Sequence, residues 1–280
     1  MWRQLPEHST TSIASKFQNL MSHGQGALIA YLTGGDPEPK IFLKNVVALA
    51  EGGADIIEIG IPFSDPIADG PVIQSSSQRS LAHGTTPKIV LEECREISGI
   101  YPEIPLVILT YYNPVLAMGL DHFMRKARDS GVSGVVVPDL PIEESGDYRA
   151  AAVKNGVDTI FLTAPNTSET RLVKIIRNST GFLYLVSLFG VTGPRDSLSE
   201  LAISSVRRVK NLARGLPTAA GFGISRPEHV SALMRSGADG AIVGSALVRL
   251  VDENLGDPEG AAEALKRKTV DLKAATRKNS

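Results

Sequence analysis

The sequence predicts an α/β fold of the (β/α)8 TIM-barrel class, with eight parallel strands and an extra N-terminal helix. Its 280 residues suit one such barrel. Eight apolar runs of strand length recur along the chain, and amphipathic stretches lie between them. The alternative, a doubly wound open sheet, usually has fewer strands. No linker-like or low-complexity segment divides the sequence, so we expect a single TIM-barrel domain over residues 1–280.

The predicted strands are nearly continuous in apolar character, which is typical of strands covered on both faces in a parallel sheet. They are ALIAYLT (27–33), DIIEIGI (55–61), PLVILTYY (105–112), GVVVPDL (134–140), TIFLTAP (159–165), FLYLVSL (182–188), PTAAGFG (217–223) and GAIVGSA (240–246). Two connections, 62–105 and 189–214, are longer than the rest and hold loops rich in Gly, Pro, Ser and Asp. Long loops after barrel strands often cover a site.

The predicted helices carry proline at the start and glycine at the end, which is the usual asymmetry of helix termini. PKIFLKNVVALAEGGA places Phe42, Val46 and Leu49 on one face and stops at a Gly-Gly pair, and PEHVSALMRSGA repeats this pattern. Helices over 9–22 and 259–275 are expected to cover the ends or sides of the barrel.

Composition argues against several classes of function. The chain has 29 basic and 30 acidic residues and no block of like charges, which argues against a nucleic-acid-binding surface. No apolar run approaches the roughly 18 residues of a membrane helix, and the N-terminus lacks the apolar core of a secretory signal. The single cysteine, Cys94, suits a reducing cytosol, so we expect a cytoplasmic protein. The five histidines form no metal-ligand pattern, and no metal site is predicted.

The stretch EIGIPFSDPIADGP, residues 58–71, places a carboxylate inside an apolar strand and a second one on the loop after it. A buried carboxylate is costly unless it is paired or neutral, so Glu58 is either bonded or present for chemistry. Two carboxyl groups in different environments can divide roles, with Glu58 handling protons and Asp69 staying charged. The alternative is a bonded core carboxylate at Glu58, with Asp65 and Asp69 as turn formers.

Glycine and serine turns follow the last three predicted strands, as GVTG (190–193), GFGIS (221–225) and VGSA (243–246). Barrels often bind phosphate at the loops after strands seven and eight, where backbone N–H groups converge on a helix N-terminus. Ser225 and Ser245 suit either phosphate donors or ordinary N-caps, so each turn alone is weak support. No P-loop lysine follows, which argues against a nucleoside triphosphate.

Two further polar segments end predicted strands. In TYYNP (110–114), Tyr111, Tyr112 and Asn113 can line the mouth of the barrel, although strand-end aromatics also pack against neighbouring helices. In PDLP (138–141), Asp139 fits a turn or N-cap role better than a catalytic one.

These segments, with AYLTGGDP (30–37) and YLVSLFGVTG (184–193), resemble in order the tryptophan synthase α subunit family over roughly residues 15–270. The resemblance implies a (β/α)8 barrel that is a lyase of aromatic amino-acid biosynthesis. It implies retro-aldol cleavage of indole-3-glycerol phosphate to indole and glyceraldehyde 3-phosphate, without a metal or cofactor in this chain. It also implies an α2β2 complex in which indole passes to a β subunit that holds pyridoxal phosphate, with 62–65 and TYYNPV (110–115) as the contact surface.

The resemblance also assigns residues. Glu58 matches the family's general acid/base, and Asp69 matches the aspartate that faces the indole N–H. The residues matched to substrate binding are Tyr111 beside the substrate, the loop residue Thr192, and the phosphate-binding Gly193, Gly223, Gly244 and Ser245.

The sequence also departs from the family and leaves rival functions open. Leu188 and Phe189 precede GVTG, where many members carry an arginine, and this difference bears on loop closure. Tyr31 stands in a shifted place for the aromatic residue often found on strand one, and this difference bears on the indole pocket. A free-standing indole-3-glycerol phosphate lyase is the nearest alternative. A phosphosugar epimerase on the same barrel would require metal-binding histidines, or a Lys or His at the mouth of the barrel. A barrel kept as a binding subunit would not need both Glu58 and Asp69.

Overall fold

The computed structural model describes residues 12–187, 198–213 and 215–278, and its strands form one parallel sheet. The sheet order is β5-β4-β3-β2-β1-β9-β8-β7-β6. The strands are β1 (Ala27–Thr33), β2 (Ile56–Gly60), β3 (Leu106–Leu109), β4 (Val132–Val136), β5 (Asp158–Ile160), β6 (Leu162–Thr163), β7 (Leu183–Val186), β8 (Thr218–Gly221) and β9 (Gly240–Val243). Because only Phe161 separates β5 from β6, the two ends of the sheet meet and the sheet curls into a barrel.

The predicted (β/α)8 barrel is confirmed, with the predicted fifth strand divided into β5 and β6. The predicted third strand was too long, since β3 ends at Leu109 and a helix begins at Tyr112. Short aromatic runs do not distinguish a strand from a helix, and Pro114 is tolerated in the first turn of a helix. The backbone N–H of Tyr112 donates to Asp139 at 2.9 Å, so Asp139 caps this helix.

Helices surround the barrel, and in five of them the first residue is a proline: Pro39, Pro71, Pro87, Pro227 and Pro258. They are α1 (Ile13–Ser22), α2 (Pro39–Glu51), α3 (Pro71–Ala82), α4 (Pro87–Ile100), α5 (Tyr112–Met118), α6 (Leu120–Asp129), α7 (Gly146–Asn155), α8 (Glu169–Asn178), α9 (Glu200–Ala213), α10 (Pro227–Arg235), α11 (Ser245–Glu253) and α12 (Pro258–Ala274), with a 3-10 turn at Ile142–Glu144. Within the described ranges, no helix is long and apolar enough to cross a bilayer.

The lower interior of the barrel is apolar and is closed by α1. Ile13 and Phe17 of α1 pack among the inward-facing residues of the strands, and the ring of Phe17 lies 5.8 Å from that of Phe182. The strand residues in this cluster are Ala27, Ile29, Ile56, Val107, Val136, Ile160, Ala219 and Ile242. A barrel plugged at the N-terminal ends of its strands leaves the other end for a site.

Two carboxylates at the N-terminal ends of strands, Asp55 and Asp239, are paired with both a backbone N–H and a lysine. Asp55 accepts the backbone N–H of Leu28 at 2.7 Å and pairs with Lys273 at 2.7 Å. Asp239, before β9, accepts the N–H of Thr218 at 2.9 Å and pairs with Lys210. Both groups join neighbouring elements, so they serve the scaffold.

A second ionic network ties α3 and α11 together at the opposite end. Arg79 of α3 donates two hydrogen bonds to the buried Asp36, at 2.9 and 3.0 Å. Its remaining nitrogen pairs with Asp252 of α11. The bidentate geometry fixes the β1–α2 connection against both helices.

Glu93 of α4 is a buried carboxyl group outside the barrel interior, 5% exposed. Neither carboxyl oxygen has a hydrogen-bond partner of acceptable geometry among the described residues. Burial raises its pKa from 4.5 to about 8, and the nearby backbone of Gly35 counters only part of this shift. Glu93 is therefore a destabilising residue at alkaline pH.

Replacing Glu93 by Met is expected to raise the free energy of unfolding by about 1–3 kcal/mol at pH 8. Because the pKa of Glu93 is raised on folding, the wild type loses stability as the pH rises from 4.5 to about 8. The gain should therefore be larger at pH 8 than at pH 5.5, measured by urea unfolding. Glu92→Met, at an exposed position of the same helix, is the control. Equal gains for both variants would contradict the prediction.

Candidate active site

Glu58 lies in the middle of β2 and points into the barrel, two residues after the inward-facing Ile56. Its Cα partner on β1 is Tyr31. The side chain is 0% exposed, and among the described residues neither carboxyl oxygen has a hydrogen-bond partner of acceptable geometry. Burial, with the Asp69 carboxylate adding to it, raises the pKa of Glu58 from 4.5 to about 8, while the phenol of Tyr184 counters part of the shift. Glu58 is therefore mostly protonated at neutral pH.

Asp69 lies on the β2–α3 loop, above the same end of the barrel. Turn bonds hold the loop, since the N–H of Asp69 donates to the carbonyl of Pro66 at 3.1 Å and Gln74 donates to the carbonyl of Asp69 at 2.8 Å. Burial raises the pKa of Asp69 from 3.8 to about 6, and the hydroxyl of Tyr111 counters part of this shift. Asp69 is therefore mostly ionised at pH 7, unlike Glu58.

Tyr111 supports this loop from below. Its hydroxyl accepts the backbone N–H of Ala68 at 3.0 Å, and its ring stacks on that of Phe63 at 5.2 Å. The side chain is 2% exposed and does not line the cavity described next. The geometry thus places Tyr111 under the loop that carries Asp69.

A cavity of about 220 Å³ opens at the C-terminal end of the barrel. Its wall includes Asp69 on one side and the glycine turns after β8 and β9 on the other. The lining residues are Tyr31, Ala68, Asp69, Gly70, Pro71, Val72, Ile73, Leu109, Tyr184, Gly221, Gly223, Ile224, Ile242, Gly244, Ser245 and Arg249. Glu58 itself is not in the wall, but Asp69 and Tyr184, which both shift its pKa, are.

The glycine turns form a polar end of this cavity. Gly223 has φ +69°, a conformation that disfavours other residues, and a side chain there would meet open space. Gly244 is the N-cap of α11 and Ser245 is its first residue, and no side chain caps this helix. An uncapped helix N-terminus that opens on a cavity suits an anion such as phosphate.

The remaining predicted residues are a turn aspartate, two serines near helix starts and residues that the structure does not describe. Asp65 is exposed and accepts a hydrogen bond from Ser64, as a turn former does. Ser225 and Ser245 are not N-caps, since Arg226 and Gly244 occupy the N-cap positions of α10 and α11. The predicted Thr192 and Gly193, with Leu188 and Phe189, lie outside the described residues.

Two polar residues of the wall, Tyr184 and Arg249, were given no site role from the sequence, and Tyr31 was considered only as a displaced strand-one aromatic. Burial raises the pKa of both tyrosines well above 10.0, so both phenols stay protonated and can donate hydrogen bonds. Tyr31 is the aromatic expected to be displaced, yet it contributes directly to the wall. Side chains two residues apart point to the same face of a strand. Tyr184 follows Phe182 by two residues, so this spacing could have indicated that Tyr184 also faces the interior of the barrel.

Two carboxyl groups with different pKa values beside a cavity at the C-terminal end of a barrel are the features of an acid–base enzyme of the (β/α)8 class. Comparison with known proteins makes this class specific. The family model described as tryptophan synthase alpha chain matches residues 17–277, and the chain belongs to that family.

Individual relatives agree over nearly the whole chain. The tryptophan synthase alpha chain of Methanoregula boonei is 45% identical over 252 residues, covering 90% of this chain and 94% of that one. The tryptophan synthase alpha chain of Arabidopsis thaliana is 42% identical and covers 95% and 96%. The structure of Mycobacterium tuberculosis tryptophan synthase superposes with a TM-score of 0.86 at 35% identity, covering 95% and 98%. A chain of the Pyrococcus furiosus tryptophan synthase α2β2 complex gives 0.83 at 43%, covering 89% and 98%.

Gly60→Ala is expected to destabilise the chain by about 1–3 kcal/mol, because overpacking a tight core is costly. A Cβ at Gly60 would overlap the hydroxyl of Tyr31 and lie 2.8 Å from its Cζ. Adding Tyr31→Phe should restore part of the loss, measured by urea unfolding. Gly99→Ala on α4, where a Cβ meets nothing within 4 Å, is the control and should be neutral or stabilising. An unchanged midpoint for Gly60→Ala would contradict the packing of Tyr31.

Proposed function

We propose that the cavity binds indole-3-glycerol phosphate and that the chain cleaves it to indole and glyceraldehyde 3-phosphate. The observation that carries the proposal is the pairing of a mostly protonated Glu58 with a mostly ionised Asp69 at one end of the cavity. As a member of the tryptophan synthase alpha chain family, the chain is a lyase in tryptophan biosynthesis.

The first step protonates carbon 3 of the indole ring. Protonation there breaks the aromaticity of the five-membered ring and makes the ring able to accept the electron pair of the bond to the glycerol chain. Glu58 supplies this proton, since a carboxyl group with a pKa of about 8 is protonated at neutral pH. The ring nitrogen gains positive character, and the Asp69 carboxylate, as acceptor of its N–H, stabilises that charge.

The second step breaks the bond between carbon 3 and the glycerol chain. Glu58, now a carboxylate, removes the proton of the hydroxyl group on the adjacent carbon. The O–H electrons form the aldehyde carbonyl, and the electron pair of the broken bond returns to the ring and restores aromatic indole. One proton enters and one leaves, so Glu58 ends the cycle protonated.

The phosphate group lies far from the reacting carbons and serves to orient the substrate. We place it at Gly223, Gly244 and Ser245, with Gly193 and Thr192 contributing from the loop after β7. The indole ring then lies toward Tyr31, Leu109 and Tyr184, next to Asp69. Tyr111 acts by holding the loop that carries Asp69.

The partner is proposed to be a tryptophan synthase β subunit. A member of the family with a TM-score of 0.83 belongs to an α2β2 complex, and Ile67, at 79% exposure on the Asp69 loop, offers an apolar contact. In this proposal the chain itself uses no cofactor or metal, pyridoxal phosphate belongs to the β subunit, and the complex is cytoplasmic. Residues 62–65 and 110–115 are the proposed contact surface.

The rate of indole release, as kcat/KM, should be bell-shaped with pH, with apparent pKa values near 6 and 8. Below pH 6 Asp69 becomes protonated and loses its charge, and above pH 8 Glu58 loses the proton that it donates. Glu58→Gln should lower kcat by about 10²–10⁴-fold at every pH. Asp69→Asn should lower it by about 10²-fold and remove the acidic limb.

Asp65→Asn is the matched control, because this exposed aspartate lies on the same loop. It should retain the wild-type profile. An acidic limb that persists in a folded Asp69→Asn variant would contradict the role given to Asp69. Absence of indole release by folded wild type, with a β subunit added, would overturn the function.

Adding a purified β subunit is expected to raise the rate of indole release by about ten-fold or more, because loop order and partner binding are coupled. Ile67→Glu should weaken this activation and leave the rate of the isolated chain unchanged. A high rate that no β subunit increases would favour the free-standing lyase.

A further inference from the structure

Arg249 is a cationic residue in the wall of the cavity to which the reaction scheme gives no role. It lies on α11 four residues after Ser245, so both side chains lie on the same side of the helix. It is exposed, and within the described ranges it forms no ion pair or hydrogen bond. Among the described residues of the wall it is the only lysine or arginine.

The nearest acidic neighbour on the same helix is already engaged. Asp252, three residues after Arg249, pairs with Arg79 of α3. Arg79 is itself fixed by two hydrogen bonds to the buried Asp36. Asp252 is therefore held by Arg79, and no ion pair of Arg249 with Asp252 or with Glu253, four residues after it, forms within the described ranges.

The charge balance of the cavity calls for a cation. A phosphate monoester at the turns carries up to two negative charges, and Asp69 adds a third on the other side of the cavity. The uncapped N-terminus of α11 contributes only about half a positive charge. A guanidinium group binds phosphate in a forked geometry that neither backbone N–H groups nor the Ser245 hydroxyl reproduce.

We propose that Arg249 contacts the phosphate group and determines the preference of the cavity for phosphorylated over neutral ligands. This inference rests on the proposed cleavage of indole-3-glycerol phosphate. Its contribution is to ground-state binding, because the phosphate is unchanged between substrate and transition state. Arg249 thus sets KM and leaves kcat to Glu58 and Asp69.

The test compares the wild type with Arg249→Gln and Arg249→Lys in the full chain, assayed with a β subunit at low and high salt. Arg249→Gln should raise KM, and the inhibition constant of glycerol 3-phosphate, by about ten-fold at low salt, with kcat little changed. Inhibition by neutral indole should be unaffected. Salt should weaken wild-type binding more than that of the variant. Arg249→Lys should be intermediate, and Arg267→Gln, at an exposed arginine of α12, should match the wild type.

Unchanged KM and inhibition constants in Arg249→Gln, with an active wild type, would overturn the inference and leave the lyase function intact. An inactive wild type would remove the function and the inference with it. If Arg249→Gln does not fold, the salt dependence of KM is compared between the wild type and Arg249→Lys. A KM that is insensitive to salt in both proteins would overturn the inference.

Discussion

The site depends on one electrostatic constraint, which is the burial of a carboxyl group that has no bonded partner among the described residues. Asp55 and Glu58 are three residues apart, yet Asp55 is paired with a backbone N–H and a lysine whereas Glu58 is not. An ionised Glu58 would face both desolvation and the charge of Asp69, so the folded state keeps it protonated at neutral pH. The rest of the architecture makes this arrangement possible.

The scaffold and the site occupy opposite ends of the barrel. Apolar residues and the plug of α1 fill the N-terminal half, and paired aspartates join strands to helices there. At the other end, Tyr111 fixes the Asp69 loop and the Arg79 network fixes α3 against α11. These contacts support the loops on both sides of the cavity, and orientation of a bound ligand requires such supports.

Local pattern predicted the barrel well because most strands are buried on both faces and five helices begin at a proline. The pattern did not predict that Tyr111 lies under a loop, that α5 begins at Tyr112, or that Tyr31 and Tyr184 line the cavity. Those facts depend on contacts between residues far apart in sequence, such as the 43 residues between Ala68 and Tyr111. The periodicity of a sequence indicates which face of a helix or strand is buried, but not which residues pack against that face. The resemblance carried the assignment of Glu58 and Asp69 further than spacing could.

Desolvation alone does not identify a functional carboxyl group, as Glu93 demonstrates. Glu58 and Glu93 are both buried, both lack hydrogen-bond partners among the described residues, and both have a pKa of about 8. Only Glu58 lies beneath a cavity whose wall contains a second carboxyl group with a lower pKa. A perturbed pKa indicates function when a substrate can reach the proton and a neighbouring group can hold the charge that its transfer creates. Glu58 has a charge-bearing neighbour in Asp69 and lies next to the cavity wall, whereas Glu93 is in neither position.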